Sequence, residues 1–212
     1  MKTDQFIDML STNLEPVNHA KTSRLLATAV GLGVVAAIGA ALLALGLRPD
    51  YVDRSAFAFL CVKLLFAGGA AALAGFYLLK SARPGSTGKL PLAVVLPFAA
   101  IMLLAIAILS FAPDSHWQHM ASHGEWLECL LSIPLIAIAP FAVLVWAVRQ
   151  AAPTNLVRTG ALVGLVAGSI SAMGYALHCM ADSLPFIAIW YGGTIALCTL
   201  AGATLGPRLL RW

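Results

Sequence analysis

Six stretches of apolar residues alternate with short polar connections along the chain, at residues 25–47, 56–79, 90–111, 129–148, 157–179 and 185–206. A helix of about 20 apolar residues crosses a hydrocarbon core of roughly 30 Å, so each stretch predicts a transmembrane helix. Unpaired backbone groups in hydrocarbon cost several kcal/mol apiece, which excludes open strands at that depth. The pattern therefore predicts an all-α integral membrane protein, a bundle of six transmembrane helices over residues 25–212, preceded by a polar segment over residues 1–24. In that segment the spacing changes. Phe6, Ile7, Leu10 and Leu14 fall within an arc of about 100° at 3.6 residues per turn, which predicts a short amphipathic helix over residues 4–15. Thr3 can cap it and Pro16 stops it. A helix that short is marginal in water and needs a surface to lie on. A groove on a partner protein, the bundle's own inner face and the membrane surface all qualify. Asp4, Asp8 and Glu15 outnumber the neighbouring Lys2, which disfavours anionic lipid and favours the protein groove.

Composition narrows the class. Hydrophobic residues make up 60% of the chain and charged residues 10%, which excludes an ordinary soluble domain of this length. The charges also give an orientation. Of the twelve Lys and Arg residues other than Lys63, ten (Lys2, Lys21, Arg24, Lys80, Arg83, Lys89, Arg149, Arg158, Arg208 and Arg211) fall on the side of the two termini. Arg48, Arg54 and every acid beyond Glu15 fall on the other. The positive-inside rule then predicts both termini in the cytoplasm. The net charge of +4 is spread along the inner loops, where it meets anionic headgroups rather than nucleic acid. About 24 polar residues precede the first apolar stretch, a pattern that predicts no cleavable signal peptide.

Packing and chemistry follow from particular residues. Gly160, Gly164 and Gly168 recur every fourth position and form a smooth stripe suited to close helix packing within the bundle or to a sliding or dimer surface. Pro97, Pro134 and Pro140 predict local kinks. Cys129 opens the fourth stretch and Cys179 closes the fifth, and counting outward from Arg149 and Arg158 puts the thiols at matched depth, near the outer surface. A disulfide would require both to face one seam, which spacing leaves open; two small side chains in helix packing is the plain alternative. His178, Asp182, Glu125 and Glu128 stand near them, with His116, His119 and His123 in the preceding loop. Thiolates with imidazoles suit a soft ion such as zinc, copper or cadmium, bound transiently rather than as a required cofactor. A hydrated loop with incidental histidines is the plain alternative, since CxxC and HExxH spacings are absent. Cys61 and Cys198 read as core residues. Lys63 lies within the second stretch, where an amine must snorkel, pair with Asp50, Asp53 or Asp182, or couple the thiol region to the bundle.

The chain resembles the NrsF-like family of six-span bacterial membrane proteins, negative regulators of extracytoplasmic-function sigma factors. The resemblance runs through MKTDQFIDML at the start, Glu15-Pro16-Val17, GLRPD at 46–50, Lys63 and ARPG at 82–85. It continues in Cys129 with Ile133-Pro134-Leu135, Ala152-Pro153-Thr154, Leu177-His178-Cys179, PFIAIWYGG and the closing GPRLLRW. It implies an anti-sigma factor and not an enzyme. The N-terminal segment would hold a sigma factor at the membrane, and heavy-metal or oxidant stress sensed at outward cysteines, here Cys129 and Cys179, would release it. The histidines at 116, 119 and 123 lie outside the pattern. Two rival readings are a membrane thiol-disulfide oxidoreductase, for which the chain lacks a closely spaced cysteine pair, and a small metal-ion transporter, for which the spans lack mid-depth ligands.

Overall fold

A computed structural model describes residues 19–50, 53–81, 92–113, 117, 120, 125–151 and 153–211. All regular structure among them is helical. Six helices are long and apolar enough to cross a bilayer: α1 (His19–Ala44), α2 (Arg54–Ser81), α3 (Leu92–Phe111), α4 (Trp126–Arg149), α5 (Leu156–Ala176) and α6 (Leu184–Leu209). Each of the six predicted apolar stretches coincides with one of these helices, with shifted ends. The anticipated helix over residues 4–15, with Phe6, Ile7, Leu10 and Leu14, lies outside the described residues, as do His116, His119 and His123.

The differences have local causes. Pro97 does not kink a helix interior; it occupies the first turn of the α-helical part of α3, after a 3-10 turn over Leu92–Val95, where its missing N–H costs nothing. Pro134 and Pro140 do lie inside α4. In α6 a turn at Leu184–Phe186 is followed by a π-helical segment, Ile187–Tyr191, before the α-helix over Gly192–Leu209. At the other ends, α4 starts a turn before Cys129 and α5 stops three residues before Cys179. Cys129 is thus a helix-interior residue and Cys179 a loop residue.

The fifth helix is the hub. It packs against α6, α2, α4 and α1, while α3 sits at the periphery against α2 and the start of α6. The glycine stripe accounts for the tightest of these contacts. A Cβ on Gly160 would collide with the Gly202 carbonyl, one on Gly164 with the Cys198 carbonyl, and one on Gly168 would come within 2.8 Å of the Cys198 side chain. Gly202 and Gly206 return the same fit against Gly160 and Leu156. The stripe is consumed within the chain, as the close-packing reading of small residues requires. Lower on α5, Gly174 lets Ala37 of α1 approach.

Candidate functional site: a charged clasp on a cysteine-bearing loop

Three connections meet at the end of the bundle opposite the two termini: that between α1 and α2, that between α3 and α4, and that between α5 and α6. The last of these, residues 177–183, carries Cys179 and is tied down by the others. Its start is dictated by the end of α5. The final carbonyls of a helix lack intrahelical partners and carry partial negative charge, so they attract cations. Here the backbone N–H of Arg48 donates to the Leu177 carbonyl at 3.1 Å. The Arg48 Nη1 and the Lys63 Nζ both donate to the Cys179 carbonyl, at 3.2 and 2.9 Å.

Arg48 reaches this position because Gly46 takes φ +80°, a left-handed conformation that glycine adopts without the usual penalty, turning the chain inward just after α1. The guanidinium is buried at 2% exposure and commits its whole donor fork. Nε and Nη2 grip Asp50 at 2.7 and 2.9 Å, while Nη1 and Nη2 grip Asp182 at 3.2 and 2.7 Å. Lys63, fully buried about 13 Å along α2 from its first residue, completes the group with a 3.0 Å bond to Asp182. Two cations face two carboxylates, so the clasp is formally neutral, the condition under which buried charges are tolerated. The hydrogen bonds and charge of Arg48 hold the Asp50 carboxyl below its ordinary range, and Asp50 and Asp182 in turn push the guanidinium further up. Of the carboxylates considered as partners for Lys63, Asp182 is the one it contacts.

The rest of the loop is fixed by single bonds. Glu125, just ahead of α4, accepts from the Met180 backbone N–H at 3.1 Å. Ser183 donates to the Met120 carbonyl at 2.6 Å and caps α6 by accepting from the Phe186 N–H. His178 Nδ1 lies 3.3 Å from the Gly46 carbonyl.

Cys129 and Cys179 are both free thiols and both fully buried, rather than presented at the outer surface. The Cys179 N–H donates to the Tyr175 carbonyl at 3.1 Å, and the buried rings of Tyr175 and Tyr191 have centroids 6.0 Å apart. The Tyr191 hydroxyl approaches the Cys179 thiol, yet neither tyrosine hydroxyl completes a hydrogen bond, which leaves two buried polar groups with unused bonding capacity in this core. Tyr191 is brought there by the π-helical turn of α6, a feature that often marks functional positions. Of the proposed metal ligands, Asp182 is committed to Arg48 and Lys63, and His178 is engaged with Gly46. No three His, Cys, Asp or Glu residues gather to hold an ion among the described residues. Cys198 is buried in the α5–α6 contact and Cys61 is half-buried on α2.

Sequence reasoning placed Asp182 near Cys129 and Cys179 and offered it as one of three partners for Lys63, but read Arg48 as an outside charge. The available signal was Gly46-Leu47-Arg48-Pro49-Asp50, in which a turn glycine and a carboxylate two residues on bracket the arginine. Tyr175 and Tyr191 gave none, because a tyrosine in an apolar helix looks like any other large core residue.

Comparisons with known proteins bear on the whole chain. Residues 10–212 match a family model described as NrsF, negative regulator of sigma F. A probable anti-sigma-F factor NrsF of Azospira oryzae is 30% identical over 213 residues, and the anti-sigma-F factor NrsF of Caulobacter vibrioides is 33% identical over 217 residues, each aligned over 100% of both chains. No solved structure matches. With the match extending through all six helices, the chain belongs to the NrsF family of anti-sigma factors, which are regulators and not enzymes.

Proposed function

We propose that this protein is an inner-membrane anti-sigma factor that retains an extracytoplasmic-function sigma factor through residues 1–24 and releases it when metal or oxidant reaches Cys129 and Cys179. The observation that carries this reading is the pair of free, buried thiols at the end of the bundle away from both termini. Six bilayer-length helices join that end to the end from which the N-terminal segment extends. In the resting state Phe6, Ile7, Leu10 and Leu14 occupy an apolar groove on the sigma factor. A soft ion, or oxidation, acting at the two thiols changes the relation of α4 to the α5–α6 loop, and the cytoplasmic end follows. The buried thiols make the response selective, since they react only when the loop opens or when a ligand stabilises the open form. A ligand shifts such an equilibrium only through differential affinity, so a ~2.7 kcal/mol shift requires about 100-fold tighter binding to the released form.

The test is retention of the sigma factor on membranes before and after cadmium. The parent protein releases it, and the Cys129→Ser, Cys179→Ser double variant holds it at every dose. Undiminished release from the double variant rejects thiol sensing, and retention by a chain with Phe6, Ile7, Leu10 and Leu14 changed to Ser rejects the N-terminal contact.

A further inference from the structure

We propose that Arg48, Lys63 and Asp182 form a latch that carries an event at the Cys179 thiol to α2, with the Cys179 carbonyl as its moving part. The inference rests on the reading of Cys179 as a sensing residue. The thiol and the carbonyl belong to the same residue, and the carbonyl accepts from two cations on two other elements, Arg48 ahead of α2 and Lys63 within it. Rotation about the Cα–Cβ bond can re-aim the sulfur alone, but any backbone displacement that carries Cys179 toward a ligand shared with Cys129 moves the carbonyl against both donors.

The loop has little room to absorb that motion elsewhere. Leu177, His178, Met180 and Ser183 are each bonded to a different neighbour: Arg48, Gly46, Glu125 and Met120. Lys63 places both of its hydrogen bonds on this loop, through the Cys179 carbonyl and Asp182. An ammonium parted from them inside the bundle is strongly disfavoured. The amine must follow the loop or draw α2 toward the surface where it can be solvated. Where the stem of Lys63 cannot extend far enough within the packed core, the motion displaces a helix whose other end, Ser81, lies on the side of the termini. Arg48 and Lys63 are thus positioning residues: they touch neither the stressor nor the sigma factor.

The experiment compares the parent full-length chain with the charge-balanced pair Lys63→Met, Asp182→Asn, which leaves Arg48 with Asp50. The Cys129→Ser, Cys179→Ser chain is included alongside. Two quantities are read in membranes: sigma factor retained as cadmium is raised, and the rate of maleimide labelling at Cys179 followed by mass spectrometry. The charge-balanced pair is expected to accumulate normally, to label at Cys179 about tenfold faster because the loop opens more readily, and to release the factor about tenfold less on cadmium. Parental labelling with parental release in that variant overturns the latch. Should it fail to accumulate, Asp182→Glu keeps the charge and displaces the carboxylate by one methylene; it is expected to shift the releasing dose about threefold or more, and an unshifted dose overturns the latch. Cadmium release that persists in the Cys129→Ser, Cys179→Ser chain rejects the sensing reading itself. Release that persists only in the charge-balanced pair rejects the latch and leaves that reading standing.

Discussion

Arg48 shows what one residue contributes to this molecule. Its guanidinium directs all five N–H donors at Asp50, Asp182 and the Cys179 carbonyl, a planar fork that a lysine ammonium with three donors cannot reproduce. Arg48→Lys is therefore expected to destabilise the protein by about 2–3 kcal/mol although it preserves the charge, read as a lowered thermal midpoint in detergent. The same contacts give a pH dependence of known sign. Because Arg48 depresses the Asp50 carboxyl, the contribution of this pair is fully present above the ordinary carboxylate value of about 4 and is lost as pH falls through the lower folded value. The difference in thermal midpoint between parent and Asp50→Asn should stay constant from about pH 8 to pH 5 and shrink below about pH 4. A difference that changed between pH 8 and pH 5 would contradict that assignment.

At the scale of elements, the α5–α6 contact is set by backbone approach rather than by large side chains. Gly164→Ala drives a methyl into the Cys198 carbonyl, and backbone cannot yield as a side chain can. A loss of roughly 1–3 kcal/mol is expected. Gly75→Ala in α2 is the internal comparison, since nothing lies within 4 Å of the added carbon and the higher helix propensity of alanine favours it by up to about 1 kcal/mol. Thermal unfolding of the two variants in one detergent checks both signs. The helices and the stripe were legible because lipid length and small-residue spacing act along one segment at a time. The end of α5 was not. Its apolar run extends to Cys179, but the carbonyls of Leu177 and Cys179 are taken by Arg48 and Lys63, and that competition involves residues more than a hundred positions away.

For the molecule as a whole, sidedness is the property on which signalling depends. Six helices leave both termini at one end, and the clasp, with the Glu125 and Ser183 hydrogen bonds, joins three connections at the other. Reporter fusions at residue 212 and after residue 24 are expected to be active in the cytoplasm, and insertions after Ala112 in the periplasm. A reporter at residue 24 that shared the compartment of one at Ala112 would contradict the arrangement. On the proposed function, the thiol-bearing end of the bundle lies toward the compartment reached by stressors and residues 1–24 toward the transcription machinery, with α2 and α5 as continuous rods between.

The sequence by itself determined the number of bilayer-length helices among the described residues, their approximate limits, the position of Cys129, Cys179, Lys63 and Asp182 near one end, and the family resemblance. Each of these depends on hydrophobic length, charge distribution or local motif, which are readable one segment at a time. Only the tertiary structure decided that Arg48 is buried at the centre of a neutral clasp, that Lys63 chooses Asp182, that both thiols lie under cover beside Tyr175 and Tyr191, and that the glycines of α5 meet α6. Those outcomes depend on which face each helix turns to its neighbours, and in an apolar bundle nearly every face is hydrophobic, so rotation about the helix axis leaves no periodic mark on the chain.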